Sequence, residues 1–456
     1  MRIEKISVKG LFGLFDHTVR LNLGERITFI HGANGLGKTA LLRLLDGVFN
    51  SKYSELAAVP FSKFEINFEN STRMSVHKTS KSTKRQQSSF AGEVIHFTYV
   101  DKDGTSQEYA FDPDSDDSSS VSLRRQLQES LEYHMPDLER VDVNTWRRLS
   151  TGENFTLAEA IIRFQSELPS FYRTHFKEKE WFEAFKKSVE VRFVQTQRLV
   201  SINERRSRQV RSEGPSVTPS VQIYSEEIIR AIKDTLTEYA ELSQSLDRTF
   251  PERLVQQDQE ANLSSHELRN RLASLEQKRR GLQAAGLLVD EQGVGFQMPE
   301  KLNPTTRKVL SVYVKDVEQK LGVFDLIAAK IDLLRQIVDD RFLYKRMAVH
   351  REKGFVFIGD GGQPLLPTSL SSGEQNELVL LYELLFKVKQ GALILVDEPE
   401  ISLHIAWQQQ FLKDLQQIIR LSQFDVLIAT HSPQIIHDRW DLTVELQGPQ
   451  QQRRSR

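Results

Sequence analysis

The sequence predicts an α/β fold, in which a β-meander and a mostly parallel sheet with helices are interrupted by an inserted antiparallel helical, coiled-coil arm. Three observations lead to this prediction. A strand-like run, a glycine-rich loop and a helix-like run follow one another in residues 27–45. Two further apolar strands, at residues 393–397 and 426–430, end in polar side chains, as is typical of buried parallel strands. Residues 222–347 repeat apolar side chains at spacings of three and four, which is typical of helices packed on helices.

The composition limits the class of protein. The 456 residues are enough for about two or three domains. The 61 Lys and Arg and the 62 Asp and Glu nearly cancel, so the charge of the whole chain does not favour nucleic acid. The absence of cysteine excludes disulfides and thiolate metal sites. No apolar run approaches the length of a membrane span, and the N-terminus is no signal peptide, so we expect a cytoplasmic protein without membrane contact.

The N-terminal region reads as short strands. Alternating apolar residues at 2–9 and 17–23 predict a hairpin that leads into the strand before the glycine-rich loop. Residues 64–68 and 94–99 alternate in the same way and predict a β-meander. Between them, the basic stretch at 78–85 is interpreted as a solvated loop in preference to a phosphate contact.

The middle of the head is predicted to be helical, with helices near 123–134, 153–166 and 176–188, followed by a strand at 189–194. Arginines then cluster at positions 205, 206, 208 and 211. This basic patch has the charge to bind nucleic acid or an acidic protein. Nearby glutamates dilute it, and a solvated loop is the favoured interpretation.

The helical insertion is predicted to span residues 222–347, between two segments of one discontinuous head domain, 1–221 and 348–456. Its apolar seam is expected to be interrupted at Pro251 and to resume in later arms. At about 1.5 Å per residue, arms of this size reach roughly 50–60 Å from the head. A compact helical subdomain is the alternative that the sequence leaves open.

The glycine-rich loop fits the phosphate-binding pattern GxxxxGK[ST] in its strand–loop–helix context. Glycines let backbone N–H groups approach phosphate oxygens, and the helix N-terminus adds a partial positive charge. Lys38 is expected to bridge the terminal phosphates and Thr39 to ligate Mg²⁺. The predicted nucleotide contacts of this region are Gly32, Asn34, Gly35, Gly37, Lys38, Thr39 and Ala40.

A second cluster of polar residues lies more than 300 residues later. Asp397 follows a buried strand and is placed to hold the same Mg²⁺. Glu398, beside it, is placed to orient and deprotonate water. His431 follows another strand and is expected to hydrogen-bond a phosphate. The start of a predicted helix offers a hydroxyl and N–H groups to a γ-phosphate, from residues Ser371, Gly373 and Glu374.

Together these motifs resemble the ATP-binding-cassette ATPase superfamily. The resemblance consists of a phosphate loop at 32–39, a signature LSSGEQ at 370–375, a Walker B run LILVDE at 393–398, a D-loop-like segment at 400–404 and the switch histidine at 431. It implies an ABC-type P-loop ATPase head that binds and hydrolyses ATP with Mg²⁺. It also implies homo-oligomers, because the signature of one subunit completes the phosphate-loop site of another and the two heads sandwich ATP.

The resemblance also implies roles for individual residues. Glu398, His431 and Gln197 are the expected catalytic residues, and Thr39, Asp397 and Gln197 the expected metal ligands. Gln195 and Gln197 both follow a predicted strand and resemble the glutamine of the glutamine loop, and Gln197 is preferred.

The long separation of Lys38 from Gly373 argues against a transporter ATPase. It resembles the branch of RecF, Rad50, structural-maintenance-of-chromosomes heads and overcoming-lysogenization-defect ATPases. Nucleases of the last group append a Toprim domain after the switch histidine, whereas 25 residues follow His431 here. Any nuclease is therefore expected on a separate chain.

A stand-alone head with a medium helical insertion most resembles the AriA-type ATPase subunits of PARIS anti-phage systems. That resemblance implies a homo-oligomeric scaffold that senses an acidic, DNA-mimicking phage protein and controls a Toprim-type nuclease partner. The alternative is a RecF- or Rad50-like repair or recombination ATPase that binds DNA.

Overall fold

The computed structural model divides the chain into two compact units, Met1–Thr218 with Lys387–Arg456, and Pro219–Phe386. It describes residues 1–80, 93–112, 128–133, 135, 137–142, 145–149, 152–164, 178–194, 200–202, 217–256, 263–288, 302–401, 403 and 405–449.

The first unit combines a parallel and an antiparallel sheet with helices. Its described strands are β1 (Ile3–Leu11), β2 (Phe15–Arg20), β3 (Ile27–His31), β4 (Lys63–Phe68), β5 (Arg73–Ser80), β6 (Glu93–Val100), β7 (Ser106–Phe111), β8 (Leu138–Arg140), β9 (Thr145–Arg148), β10 (Asn154–Thr156), β11 (Val191–Val194), β12 (Val200–Ile202), β13 (Val217–Pro219, which ends at the first residue of the second unit), and later β17 (Leu393–Asp397), β18 (Asp425–Ala429) and β19 (Thr443–Glu445). Its helices are α1 (Lys38–Phe49), α2 (Tyr53–Ala58), α3 (Leu157–Arg163), α4 (Glu180–Ser188), α10 (Ile405–Ser422) and α11 (Pro433–Ile436).

The parallel sheet has the strand order β11–β17–β18–β3–β19. Its strands β3, β17 and β18 are almost wholly buried, which explains why they read as continuous apolar runs without alternation. The register aligns Asp397 with Ala429 and Ala429 with Ile30. The carboxyl ends of three neighbouring strands therefore meet at one edge.

The antiparallel sheet has the order β2–β1–β4–β5–β6–β7 and confirms the predicted hairpin and meander. Helix α1 lies in the core that this sheet shares with the parallel sheet. The helix buries five large aliphatic side chains, Leu41, Leu42, Leu44, Leu45 and Val48. Burying each such side chain contributes about 1.5–3 kcal/mol relative to exposure, so α1 is held firmly behind the loop that precedes it.

One predicted helix begins later than expected. Residues 153–166 were expected to be helical throughout, but Asn154–Thr156 form strand β10, which pairs with β9. The helix starts at Leu157 because the Thr156 side chain accepts from the Glu159 N–H while the Glu159 carboxylate accepts from the Thr156 N–H. This capping box ends the strand and starts the helix.

The second unit carries the helical arm. Its helices are α5 (Ser220–Gln256), α6 (Ser265–Ala284), α7 (Pro304–Gly322), α8 (Asp325–Arg341) and α9 (Ser372–Tyr382), and its strands are β14 (Lys345–His350), β15 (Gly354–Gly359) and β16 (Pro364–Leu365).

Helix α5 corrects the predicted interruption at Pro251. Its 37 residues, about 55 Å long, continue through Pro251 to Gln256. Just before the proline, the carbonyl of Leu246 accepts from Thr249 Oγ1 at 3.3 Å and from Arg253 Nη2 at 2.6 Å. Arg253 also forms an ion pair with Asp316 of α7. Side-chain donors and this cross-helix pair hold the turn that a proline weakens.

The third predicted arm is two helices. Helix α7 ends at Gly322, and α8 begins at Asp325. Phe324, fully buried between them, packs on Tyr239 of α5 with ring centroids 5.2 Å apart. Strand β14 begins at Lys345, before the expected return to strands at Gly354. The compact units change at residues 218/219 and 386/387, and the domain boundaries derived from sequence stay a prediction.

Candidate functional site

The candidate site lies where β3, β17 and β18 end. The phosphate loop follows β3, Asp397 is the last residue of β17, and His431 lies two residues beyond β18. Ligand sites in parallel sheets form at the carboxyl ends of the strands. The sheet therefore brings together segments that are hundreds of residues apart in sequence.

The phosphate loop depends on glycine at two positions. Gly37 precedes α1 with φ +91°, and a Cβ there would lie 2.4 Å from Leu11 Cδ2. Gly32 has φ +145°, and its Cβ would lie 2.8 Å from the Leu446 carbonyl oxygen. A side chain at either position meets both strain and contact. No side chain caps the N-terminus of α1, which leaves its N–H groups directed at the loop.

Lys38 is held inside its own loop. The side chain is buried, and Nζ donates to the carbonyl oxygens of Gly32 at 2.8 Å and Ala33 at 3.1 Å. Burial lowers the pKa of Lys38, although the carboxylates of Glu398, Asp397 and Glu400 act in the opposite direction. The ammonium thus lies close to carbonyl and carboxylate oxygens, and the oxygens of a bound phosphate would take the place of the carbonyl partners.

Thr39 and Asp397 form a pair of oxygen donors. Thr39 Oγ1 donates to Asp397 Oδ1 at 3.1 Å. Two neighbouring ligands at about 2.1 Å from Mg²⁺ lie about 3 Å apart, so the pair fits one edge of a magnesium octahedron. In the described residues no group of three or more His, Asp or Glu is arranged to hold a metal ion. A magnesium ion here would take its other ligands from phosphate and water, as it commonly does.

Burial raises the pKa of Asp397, an effect that the Thr39 hydrogen bond opposes and the neighbouring Glu398 reinforces. A carboxylate in such a position gains from a nearby cation. The electrostatics of the pair are therefore those expected of a metal-binding residue.

Glu398 and His431 face each other across the site. His431 Nε2 lies 3.3 Å from Glu398 Oε1, and His431 Nδ1 lies 3.4 Å from Lys38 Nζ. An ammonium can only donate, so Nδ1 accepts, and a neutral ring then carries its proton on Nε2, which faces the carboxylate. Glu398 has φ +47°, a conformation rare for glutamate, and its N–H donates to the Ala429 carbonyl at 2.8 Å.

The structure adds contacts for Glu400, which the sequence places at the start of the D-loop-like segment without a role of its own. The Glu400 carboxylate accepts from His431 N–H at 2.7 Å and from Thr430 Oγ1 at 2.9 Å. In sequence, Glu400 follows Glu398-Pro399 and is the first residue of the D-loop-like segment. Nothing in the spacing signals its pairing with residues about 30 positions later.

The signature lies in the second unit, at the start of α9. Ser371 is the N-cap, its hydroxyl accepts from the Glu374 N–H, and Glu374 accepts in return from the Ser371 N–H. Lys345 Nζ donates to Glu374 Oε1 at 2.6 Å. Burial would raise the pKa of Glu374, but the Lys345 and Ser371 hydrogen bonds outweigh it and lower the pKa. Ser371 and Ser372 are exposed. Gly373 is half-buried, and a Cβ added to it would have no atom within 4 Å.

Comparison with known proteins identifies the family. Residues 1–436 match the family described as AAA ATPase domain. The chain belongs to this family of ATPase domains. No curated protein matches it.

Similar solved structures include three Smc heads. The Smc head domain with an extended coiled coil, bound to the C-terminal domain of ScpA from Pyrococcus furiosus, is 14% identical over 95% of this chain and 91% of that chain, with a TM-score of 0.33. The SMC head domain from Thermotoga maritima is 12% identical over 96% and 91%, with a TM-score of 0.30. The SmcHead bound to the C-winged helix domain of ScpA is 10% identical over 96% and 92%, with a TM-score of 0.34.

Several predicted residues of this ATPase domain lie outside the described part of the chain. Gln195 and Gln197 follow β11, which ends at Val194 beside Val396 of β17. The arginine cluster at 205–211 and residues 402 and 404 are also outside it. In the described residues, no helix is long and apolar enough to cross a membrane.

The aromatic residues near the loop differ in accessibility. His17 is buried, and its Nε2–H donates to the Leu36 carbonyl at 2.8 Å. Phe15 stacks on His17 with centroids 5.6 Å apart. Phe12 is 43% exposed, and its ring edge approaches Gly37. Of these three, Phe12 has the accessible face that an adenine would need.

Proposed function

We propose that this ATPase domain binds ATP with Mg²⁺ and hydrolyses it at the ends of β3, β17 and β18. The observation that supports this most directly is that three separate segments meet here in two sets of contacts, Thr39 with Asp397, and His431 with both Lys38 and Glu398. A bare phosphate loop would bind nucleotide only. Hydrolysis also needs a group that orients water and a donor to the phosphate. Glu398, next to Asp397, and His431, which faces it, are suited to these two tasks.

Each residue has a distinct task in the proposed reaction. Lys38 exchanges its carbonyl partners in the loop for the terminal phosphates of ATP. Thr39 and Asp397 would hold Mg²⁺, which would supply positive charge against the phosphate oxygens. Glu398 accepts a hydrogen bond from the attacking water and orients it toward the γ-phosphate. His431 donates to the same phosphate. The present contact between Glu398 and His431 is thus exchanged for one contact with water and one with phosphate.

The proposed reaction is tested with two variants. Glu398→Gln should bind Mg·ATP as the wild type does and release phosphate at least about 100-fold more slowly, since it loses the base alone. Lys38→Ala should lose ATP binding. Glu190→Gln, a partly exposed carboxylate paired with Lys389 at 3.0 Å, is the control and should match the wild type. Wild-type turnover in Glu398→Gln would refute the assignment.

The signature implies a role for a second copy of the chain. We infer that Ser371, Gly373 and Glu374 of one subunit complete the phosphate-loop site of another, so that ATP lies between two heads. The exposure of Ser371 and Ser372 at the N-terminus of α9 supports this, because the N–H groups of Ser372 and Gly373 lie outside the Ser371–Glu374 capping box.

At the level of biology, we propose a sensor and scaffold ATPase of an anti-phage defence system that controls a separate nuclease. The support is the long separation of the phosphate loop from the signature and the helical arm between them. The test is co-purification of the tagged chain with the products of its neighbouring genes. Failure of any Toprim-type nuclease to co-elute, with and without ATP, would contradict the scaffold role.

The DNA-repair alternative predicts salt-dependent duplex binding that rises with ATP. Its basic stretch at 205–211 lies outside the described residues. Absence of binding at low salt would exclude it.

A further inference from the structure

The switch segment, defined here as Thr430, His431 and Ser432, loses its hold on the sheet as soon as β18 ends. The last ladder bond is from Thr430 N–H to the Ile30 carbonyl, at 3.1 Å. Beyond it, the parallel sheet offers no partner for the His431 backbone. Something other than the sheet must therefore fix where the histidine ring points.

The carboxylate of Glu400 supplies that contact. Glu400 Oε1 accepts from His431 N–H at 2.7 Å, and the Thr430 hydroxyl is shared between the two carboxylate oxygens at 2.9 Å each. Thr430 is fully buried, and its Oγ1 in turn accepts from Ser432 N–H at 3.0 Å. Hydrogen bonds to an ionised acceptor are about twice as strong as neutral ones, so the carboxylate is well suited to hold Thr430 and His431 directly and Ser432 through the Thr430 hydroxyl.

Gln408 of α10 fixes Glu400 and the switch segment to the same support. Its Nε2 donates to the Glu400 carbonyl at 3.1 Å and to the Leu403 carbonyl at 3.2 Å. Its Oε1 accepts from Ser432 Oγ at 3.0 Å. The loop after β17 and the loop after β18 are thus connected through one glutamine.

The orientation of the His431 ring is the result of these contacts. With its backbone fixed, the ring lies between Lys38 Nζ and Glu398 Oε1, at 3.4 Å and 3.3 Å. In the described part of the chain, the hydrogen bonds of the Glu400 side chain go to residues 430 and 431. Glu400 itself touches neither Lys38 nor Glu398 through a hydrogen bond.

We propose that Glu400 is the positioning residue of the switch segment, and that it acts on ATP hydrolysis through His431. This inference rests on the proposed ATPase function. Glu400 lowers the barrier by holding the histidine where it meets the γ-phosphate, and it makes no contact with nucleotide. A misplacement of about 1 Å at a reacting group costs on the order of 100-fold in rate.

The test is a double-mutant cycle on steady-state phosphate release. Glu400→Ala should lower kcat about 10- to 100-fold and leave the KM for ATP within about threefold. Glu400→Gln, whose amide oxygen can still accept from His431 N–H, should keep most of the activity. The double variant Glu400→Ala/His431→Ala should be no slower than His431→Ala alone. Asp441→Ala removes an exposed carboxylate that accepts from Arg439 Nη2 at 2.8 Å; it is the control and should match the wild type.

Two results would overturn the inference. One is normal kcat in Glu400→Ala, and the other is a double variant whose losses multiply, because that would mean that Glu400 acts independently of His431. A third measurement separates the inference from the ATPase assignment. Hydrogen exchange of the His431 amide in the ATP-free protein should be at least about tenfold faster in Glu400→Ala. If the wild type hydrolyses no ATP, the ATPase assignment fails, and this exchange rate still decides whether Glu400 holds the segment.

Discussion

Gly37 shows how closely the phosphate loop fits the core beneath it. The neighbour that a side chain would meet, Leu11 of β1, is fully buried and lies in the core cluster that also contains α1. The conformation of the loop therefore depends on a strand of the antiparallel sheet as well as on the parallel one.

We expect Gly37→Ala to lower the free energy of unfolding by about 1–3 kcal/mol and to abolish ATP binding, since both the φ of +91° and the Leu11 contact oppose a Cβ. Gly391→Ala is the matched control, because Gly391 has φ +78° but no atom within 4 Å of a Cβ. Chemical unfolding compares the two. Equal losses in both variants would mean that the Leu11 contact has no effect.

Asp397 illustrates a cost that the ATP-free site carries. Its pKa is raised by burial, so the folded protein binds this proton more tightly than the unfolded chain does. The stability that it contributes is present below its ordinary pKa and is lost as the pH rises through the raised pKa. At neutral pH the ionised Asp397 carboxylate therefore lowers the free energy of unfolding until a cation binds beside it.

Asp397→Asn should accordingly raise Tm by about 1–3 °C at pH 7 without nucleotide, and the gain should shrink as the pH is lowered toward 4. The same variant should lose the further rise in Tm that we expect Mg·ATP to give the wild type, because the proposed metal ligand is gone. Thermal unfolding with and without Mg·ATP measures both. A lower Tm without nucleotide would contradict the burial argument.

At the scale of elements, the signature helix α9 is anchored within its unit by charge. Arg341 of α8 pairs with Glu377 of α9, and both side chains are buried, at 5% and 2% exposure. Lys345 pairs with Glu374 one turn earlier and is more exposed. The position of the signature within the second unit thus depends on α8.

Breaking the buried pair by Arg341→Met should cost about 3–5 kcal/mol, because Glu377 is left buried without its cation. The double variant Arg341→Met/Glu377→Leu should recover most of this, since no charge stays buried. Lys345→Met, at the more exposed pair, should cost only about 1 kcal/mol. Hydrogen exchange in α8 and α9 locates the effect, and a double variant as unstable as the single one would contradict it.

Sequence patterns predicted the elements whose signals are local. The phosphate loop with its flanking strand and helix, the hairpin, the meander and the apolar strands β17 and β18 follow from periodicity and glycine placement. Side-chain contacts between residues that are far apart in sequence were not predicted. The helix across Pro251 depends on Arg253 and a residue of another helix, and the role of Glu400 depends on two loops that meet only in the folded sheet. No spacing rule encodes such contacts.

At the scale of the whole molecule, the proposed function places ATP between the phosphate loop of one chain and the signature of a second chain. The signature is on a helix of the other compact unit. We therefore treat ATP as a ligand whose binding and self-association are linked.

Glu398→Gln should become dimeric, or a higher even-numbered assembly, on addition of Mg·ATP, because bound ATP persists when hydrolysis is blocked. Light scattering after size exclusion measures the mass. Lys38→Ala under the same conditions is the control and should not respond. A mass of one chain for Glu398→Gln at saturating ATP would contradict assembly through the nucleotide.

The position of β3 between β18 and β19 has a consequence for biosynthesis. A ribosome makes β3 by residue 31 and its two neighbours only from residue 425 onward. At about 5–20 residues per second, the strand waits on the order of 20–80 s for its partners. During that time the backbone N–H and C=O groups of β3 lack their sheet partners and its apolar side chains are uncovered, so no sheet fixes the phosphate loop that follows it. The nascent chain therefore cannot form this ATP site until translation has almost reached the last strand.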